Sequence, residues 1–248
     1  MAKKQVSMER KARIAEMQRQ ERARERRVRL RIIAGCVVLL VILAAVVTYA
    51  VLDARGKQPD QLIATIGVAA SAAACDPVTT DTATGSQEHV GPNTNTPGTT
   101  KVKYSTVPPS TGAHFASPVL GDTKFYTASD RPAMENLVHN LEHGYTILWY
   151  DQQAGAAVTS QLKALADAAN GTTWARDKFI VSAWDPSYGA LPSGKAFALS
   201  HWSAEFGTDG AIKSQAGHRQ LCGKLSGAVV KSFLQSHPTS QSPEPNGA

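Results

Sequence analysis

The chain has 248 residues and a formal net charge of +6, enough length for one ordinary domain with its own apolar core. The charge is uneven: residues 1–31 hold 12 Lys/Arg against 4 Asp/Glu, and the remainder holds 14 against 16. A slightly acidic remainder argues against nucleic acid as a partner, although the whole chain is basic.

Residues 1–31 read as a basic cytoplasmic tail. Residues 9–30 contain neither Pro nor Gly and suit a charged helix lying against anionic lipid headgroups. Ile32 to Leu52 follows as 21 residues without a charge. At ~1.5 Å per residue this run spans the ~30 Å hydrocarbon core of a bilayer, so residues 32–52 are expected to form a transmembrane helix. The basic leader and the apolar run are both too long for a cleavable signal peptide. The positive-inside rule then puts the N-terminus in the cytoplasm and residues 53–248 outside, as a single-pass protein of the cell membrane. An oxidising exterior favours a disulfide between Cys75 and Cys222, tying the start of the outer domain to its last helix. Cys36 falls inside the apolar run and reads as a small apolar residue there.

Residues 53–84 read as a linker and the start of the outer domain. Gln61–Ala74 is apolar enough for a strand or short helix, and residues 76–100, rich in Thr, Asn, Gly and Pro, suit an extended arm. Lys101–Thr106 alternates like a short strand. Val107-Pro108-Pro109-Ser110-Thr111-Gly112 must be a loop, because both prolines fix φ. A helix is predicted from Asp130 as cap, with Pro132 in its first turn, through Met134 to His143 and ending at Gly144. Tyr145–Tyr150 predicts a strand, Ala156–Ala169 an amphipathic helix, Lys178–Trp184 and Ala196–Glu205 two further strands. A last helix is predicted from Asp209 as cap, with Leu225, Val229, Val230, Phe233 and Leu234 in its later turns. Residues 85–235 should therefore form an α+β domain: a small antiparallel or mixed sheet with helices packed on one face. Residues 236–248 read as a disordered tail.

Histidines carry the chemistry. His139 and His143 lie four apart, so on a helix they share a face one turn apart, as two ligands of one metal ion would. With His114 from the loop and His89 from the arm, three or four imidazoles suit zinc or copper. Met134 is a possible extra ligand. The segment His139-Asn140-Leu141-Glu142-His143 also matches the pattern H-x-x-E-H of inverted zincins, but such a site needs its helix to continue, and Gly144 stops this one. Trp149, Trp174, Trp184, Trp202, Tyr145 and Tyr150 read as core rather than as a sugar platform. No P-loop, G-x-G-x-x-G, G-x-S-x-G or C-x-x-C occurs, which removes the chemistries those motifs carry.

The stretch PPSTGAH at 108–114, followed by VHNLEHG at 138–144, resembles a domain of unknown function, DUF3105, found mainly in membrane-anchored proteins of actinobacteria. The resemblance covers roughly residues 85–235. It implies an N-terminal anchor and signature residues His114, His139, Asn140, Glu142, His143 and Gly144. Ser110-Thr111 stands where that family has Thr-Ser, and Ala113 replaces a usual proline.

The expected function is extracytoplasmic binding of a copper or zinc ion by His89, His114, His139 and His143, with Glu142 and Asn140 orienting them from a second layer. The alternative is a non-enzymatic envelope assembly module, docking a protein partner, in which the same cluster is structural. A metal-dependent hydrolase using Glu142 as base is the third reading.

Overall fold

The computed structural model describes residues 17, 19, 24, 29–30, 33–49, 59–85 and 87–247. The chain divides into two compact units, Met1–Arg55 and Gly56–Ala248. In the first, residues 33–49 are helical and exposed throughout. Among the described residues no helix is long and apolar enough to cross a membrane. The expected span 32–52 runs past this stretch at both ends, and most of the expected basic tail lies outside the described residues.

The second unit is α+β. Helix α1 (59–65) leads through a 3-10 turn at Ala70–Ala72 to the disulfide Cys75–Cys222. The strands are β1 (Thr79–Thr82), β2 (His89–Val90), β3 (His114–Phe115), β4 (Phe125–Tyr126), β5 (Thr146–Tyr150), β6 (Phe179–Ala183), β7 (Phe197–Phe206) and β8 (Ile212–Cys222). The longer helices are α2 (Met134–Glu142), α3 (Ala156–Asn170) and α4 (Gly227–Ser236). Six strands form one mixed sheet in the order β1-β8-β7-β5-β6-β4; β2 and β3 form a separate parallel pair.

The sheet is covered on both faces, which corrects the expectation of helices on one face. Along β5, Leu148 and Tyr150 join a core with Leu162 and Leu165 of α3 and with Val230 and Phe233 of α4. Ile147 and Trp149 point the other way, into a core with Leu137, Val138 and Leu141 of α2. Period-2 alternation makes this unavoidable: a strand reading TILWY has no polar face to offer water, so each face needs its own cover. All five β5 residues are buried. The aromatic side chains Trp149, Trp184, Trp202, Tyr145 and Tyr150 sit in these cores, and Trp174, half-buried, packs against the first of them.

Elements β5, α3, β6 and β7 fall within a residue or two of expectation. Four departures have physical causes. Helix α2 begins after Ala133 with no side-chain cap, because the Asp130 carboxylate is taken by the Thr127 backbone N–H and hydroxyl. Asp209 caps no helix. Asp209-Gly210 instead turns a hairpin, and residues 212–222 form the long strand β8, paired with β7 and β1. Helix α4 starts only at Gly227, where the Ser226 hydroxyl accepts the Val229 N–H. Cys222 therefore ends a strand rather than lying in the last helix. Finally, the tail expected to be disordered is folded. Thr239–Gln241 makes a 3-10 turn, Thr239 and Ser242 are buried, and the Thr239 hydroxyl donates to the Gly144 carbonyl. Lys101–Thr106 is irregular rather than a strand.

Candidate metal centre

The site is assembled where α2 ends. Gly144 takes φ +82°, a left-handed value that costs glycine nothing. The Gly144 N–H bonds the Leu141 carbonyl and the Tyr145 N–H bonds the Asn140 carbonyl, both at 3.0 Å, the paired bonds of a Schellman stop. The stop leaves His139, Glu142 and His143 together on the last turn. Asn140 does not face them. Its amide closes a two-way bond with the Val119 backbone, at 2.8 and 3.0 Å, and so holds the segment after β3 against the helix.

The loop before β3 is pinned from the opposite side. Arg219 of β8 grips Asp81 of β1 at 2.6 Å, and Asp81 accepts the Ser110 hydroxyl at 2.8 Å. Burial raises the Asp81 pKa, but the bonds from Arg219 and Ser110 outweigh it and hold the carboxyl below its usual range. The PPSTG loop thus has a fixed path, and it delivers the Gly112 carbonyl to His114. Strand β2 then pairs with β3 in a register that sets His89 directly opposite His114.

Two imidazoles are oriented alike. His114 Nδ1 lies 2.8 Å from the Gly112 carbonyl, and His139 Nδ1 lies 2.6 Å from the Phe115 carbonyl. A carbonyl only accepts, so each Nδ1 carries a hydrogen and each Nε2 is left to face the site. The ring nitrogens of His89, His114 and His139 and a carboxylate oxygen of Glu142 lie within 4.8 Å of one another. His114 Nε2 stands 3.0 Å from Glu142 Oε2, and both side chains are fully buried. Glu142 Oε1 accepts the Gln87 backbone N–H at 2.6 Å, which ties the arm to the helix end. Burial raises the Glu142 pKa, yet the His114 contact and the Gln87 bond together hold it below the usual value. Burial, helped by three neighbouring imidazoles, pulls His139 down to about 4, so its ring is neutral at neutral pH.

His143 stands just outside this group of four. Its Nε2 is 3.1 Å from His139 Nε2 and 3.2 Å from Glu244 Oε2. His89 is the exposed member, its ring lying flat on that of His139 with centroids 5.0 Å apart. Met134, the possible extra ligand, is buried in the apolar core with Leu137 and Trp149. Two participants were not read from the sequence. Gln87 contributes a backbone N–H, which any residue has. Glu244 sits in the stretch expected to be disordered.

A second histidine group lies on the opposite face of the sheet. His201 is fully buried, with Nδ1 3.0 Å from the Thr146 hydroxyl. His218 and His237 stack at 4.1 Å. Burial lowers all three, His201 to about 3 and His237 to about 4. No group of three metal-ligating atoms forms there among the described residues.

Fold and site together define an α+β domain that carries a buried His/Glu cluster at a helix end. The chain belongs to the family described as "Protein of unknown function (DUF3105)", which matches residues 96–248. No curated protein and no solved structure matches it. His114, His139, Glu142 and His143 fall inside the matched stretch; Cys75 and His89 lie upstream of it.

Proposed function

We propose that this is a membrane-anchored extracytoplasmic protein that binds one zinc or copper ion through His89, His114, His139 and Glu142. One observation carries the metal reading. His114 Nε2 and a Glu142 carboxylate oxygen face each other at 3.0 Å, both side chains out of water. An imidazole nitrogen and a carboxylate oxygen held that close share a positive charge, either a proton or a metal ion. His139 and His89 bring two more nitrogens to the same place, which a single proton would not require. The Nδ1–carbonyl bonds of His114 and His139 supply the outer partners that metal-bound imidazoles usually have. Three imidazoles and a carboxylate suit Zn²⁺ or Cu²⁺. Four ligands at ~2.1 Å in a tetrahedron stand about 3.4 Å apart, so the group would draw in on binding. His89, exposed and on a two-residue strand, is the member able to move.

Glu142 here takes the role of a ligand rather than an orienting group. Its side chain is fully buried, so it does not face solvent where a substrate would arrive, which disfavours the hydrolase reading. In the assembly-module alternative, the shared charge is a proton and the cluster merely locks the arm to α2.

The test uses the full chain in detergent, stripped with chelator and titrated separately with Zn²⁺ and Cu²⁺, beside a His114→Ala/Glu142→Gln variant. Wild type should bind one equivalent roughly 100-fold more tightly or better. Equal binding by the two proteins, with both folded, would favour the structural alternative. The anchor is supported by the uncharged run at 32–52 and by the helix over 33–49. It predicts resistance to carbonate extraction, and cleavage of a C-terminal tag by protease added to intact cells.

A further inference from the structure

The geometry points to a second metal position, outside the first and sharing His139 with it, formed by His139, His143 and Glu244. This inference rests on the inner centre being a metal site. We infer that an ion reaches and leaves the inner centre through this outer position.

Three ligand atoms form a chain of short steps rather than a mutually close group like that of the inner centre. His139 Nε2 and His143 Nε2 are 3.1 Å apart, and His143 Nε2 and Glu244 Oε2 are 3.2 Å apart. Neighbouring ligands of one tetrahedral zinc stand about 3.4 Å apart, so each step already has the spacing of two atoms on one ion. Exposure rises along the same line. His114 and Glu142 are at 0%, His139 at 4% and His143 at 7%; the Glu244 side chain reaches 37%. An ion would exchange water for protein ligands one at a time along such a gradient, rather than losing its whole hydration shell at once.

Glu244 is a built feature rather than a passing tail residue. Its backbone N–H donates to the Glu142 carbonyl at 3.0 Å, and its Oε1 accepts from the Gln87 side chain at 3.3 Å. Lys178 fastens the segment beyond it through the Pro245 and Gly247 carbonyls, at 3.1 and 2.8 Å, while also holding the His143 carbonyl at 2.8 Å. The carboxylate is thereby kept at the rim of the site by bonds from three directions. A fixed negative charge at the edge of a buried site raises the local cation concentration. His139 can serve either position, because its Nε2 borders both His143 and the inner group. The competing route runs past the exposed ring of His89, and it would use neither His143 nor Glu244.

The experiment follows Zn²⁺ uptake by stopped flow into the chelator-stripped full chain in detergent, and its release into excess chelator. Wild type is compared with Glu244→Gln and His143→Ala, with His114→Ala as the inner-ligand control. Glu244→Gln should keep equilibrium affinity within about threefold while slowing uptake and release about tenfold. His143→Ala should behave likewise. Unchanged rates in both variants would mean that ions pass His89, and would overturn the outer position. So would a loss of affinity in His143→Ala as large as that in His114→Ala, since His143 would then be a ligand of the inner ion. A wild type that takes up no metal at all overturns the inner centre itself, a different and separately visible result.

Discussion

His89 and His114 sit directly opposite each other in the parallel pairing of β2 with β3. The pairing is only two residues long, and besides the imidazoles the arm is held by single bonds: Thr84 to Thr111, His114 to Glu88, and Gln87 to Glu142 and Glu244. Metal binding should therefore order the arm. Amide hydrogen exchange at residues 85–91 is expected to slow on adding Zn²⁺, and by less in His89→Ala. Identical exchange with and without metal would remove His89 from the ligand set.

Glu142→Gln keeps an acceptor for the Gln87 N–H but removes the charge facing His114. It should weaken Zn²⁺ binding by about 10–100-fold while leaving the domain folded. Competition titration against a chromophoric chelator measures the first, and circular dichroism checks the second.

Acid should destabilise the domain from near neutrality. His201 and His237 are held at about 3 and about 4 by burial, whereas an unfolded histidine titrates near ~6.5. Between those values the unfolded chain binds protons that the folded one refuses, so stability falls as pH drops below ~6.5. His218 acts in the same sense, its burial partly offset by Asp81. Replacing His201 by Gln should remove about one proton from the slope, or ~1.4 kcal/mol per pH unit between pH 6 and 4. Urea melts across that range, on metal-free protein, give the slope directly. An unchanged slope would mean that His201 gains water or a proton in the folded state.

Gly144→Ala tests the helix stop. A Cβ there would meet the Ser242 hydroxyl at 2.6 Å and the Thr239 carbonyl at 2.8 Å, on a backbone at φ +82°. Strain and displacement of the tail together should cost about 2 kcal/mol or more. Thermal melts would measure the loss, and faster proteolysis of the C-terminal segment would locate it.

What could be read from the sequence follows from how local each signal is. The strand TILWY and the helix carrying Leu162 and Leu165 announce themselves by pattern and appear where expected. Strand β8 does not, because Lys213, Gln215, His218 and Arg219 give it no apolar face, and its stability comes from pairing with two neighbours rather than from a buried stripe of its own. Asp209-Gly210, a strong hairpin signal, was the clue available. The folded tail has few apolar residues; polar bonds from Lys178 and Thr239 to its backbone and to Gly144 hold it, and these are invisible until the fold is known. At the site, the spacing of His139 and His143 is local and legible. The convergence of Glu142 with His89 and His114 depends on a loop fixed by Arg219, more than a hundred residues further on.

Reducing the Cys75–Cys222 bridge should cost about 3–5 kcal/mol, given its long loop, as read by denaturant melts with and without reductant.

That bridge also has a mechanical side. A pull on the N-terminal end of the second unit could unwind α1 and the 3-10 turn behind it, and would then meet a covalent bond. From Cys75 the load crosses to Cys222 at the end of β8, and β8 is paired along its length with β7. Everything between the two cysteines, the histidine cluster included, lies in a closed ring, and the load enters that ring at the paired end of β8 rather than through the arm alone. Residues 59–74 are thus a sacrificial lead, roughly 50 Å when stretched, able to lengthen under tension ahead of the bridge.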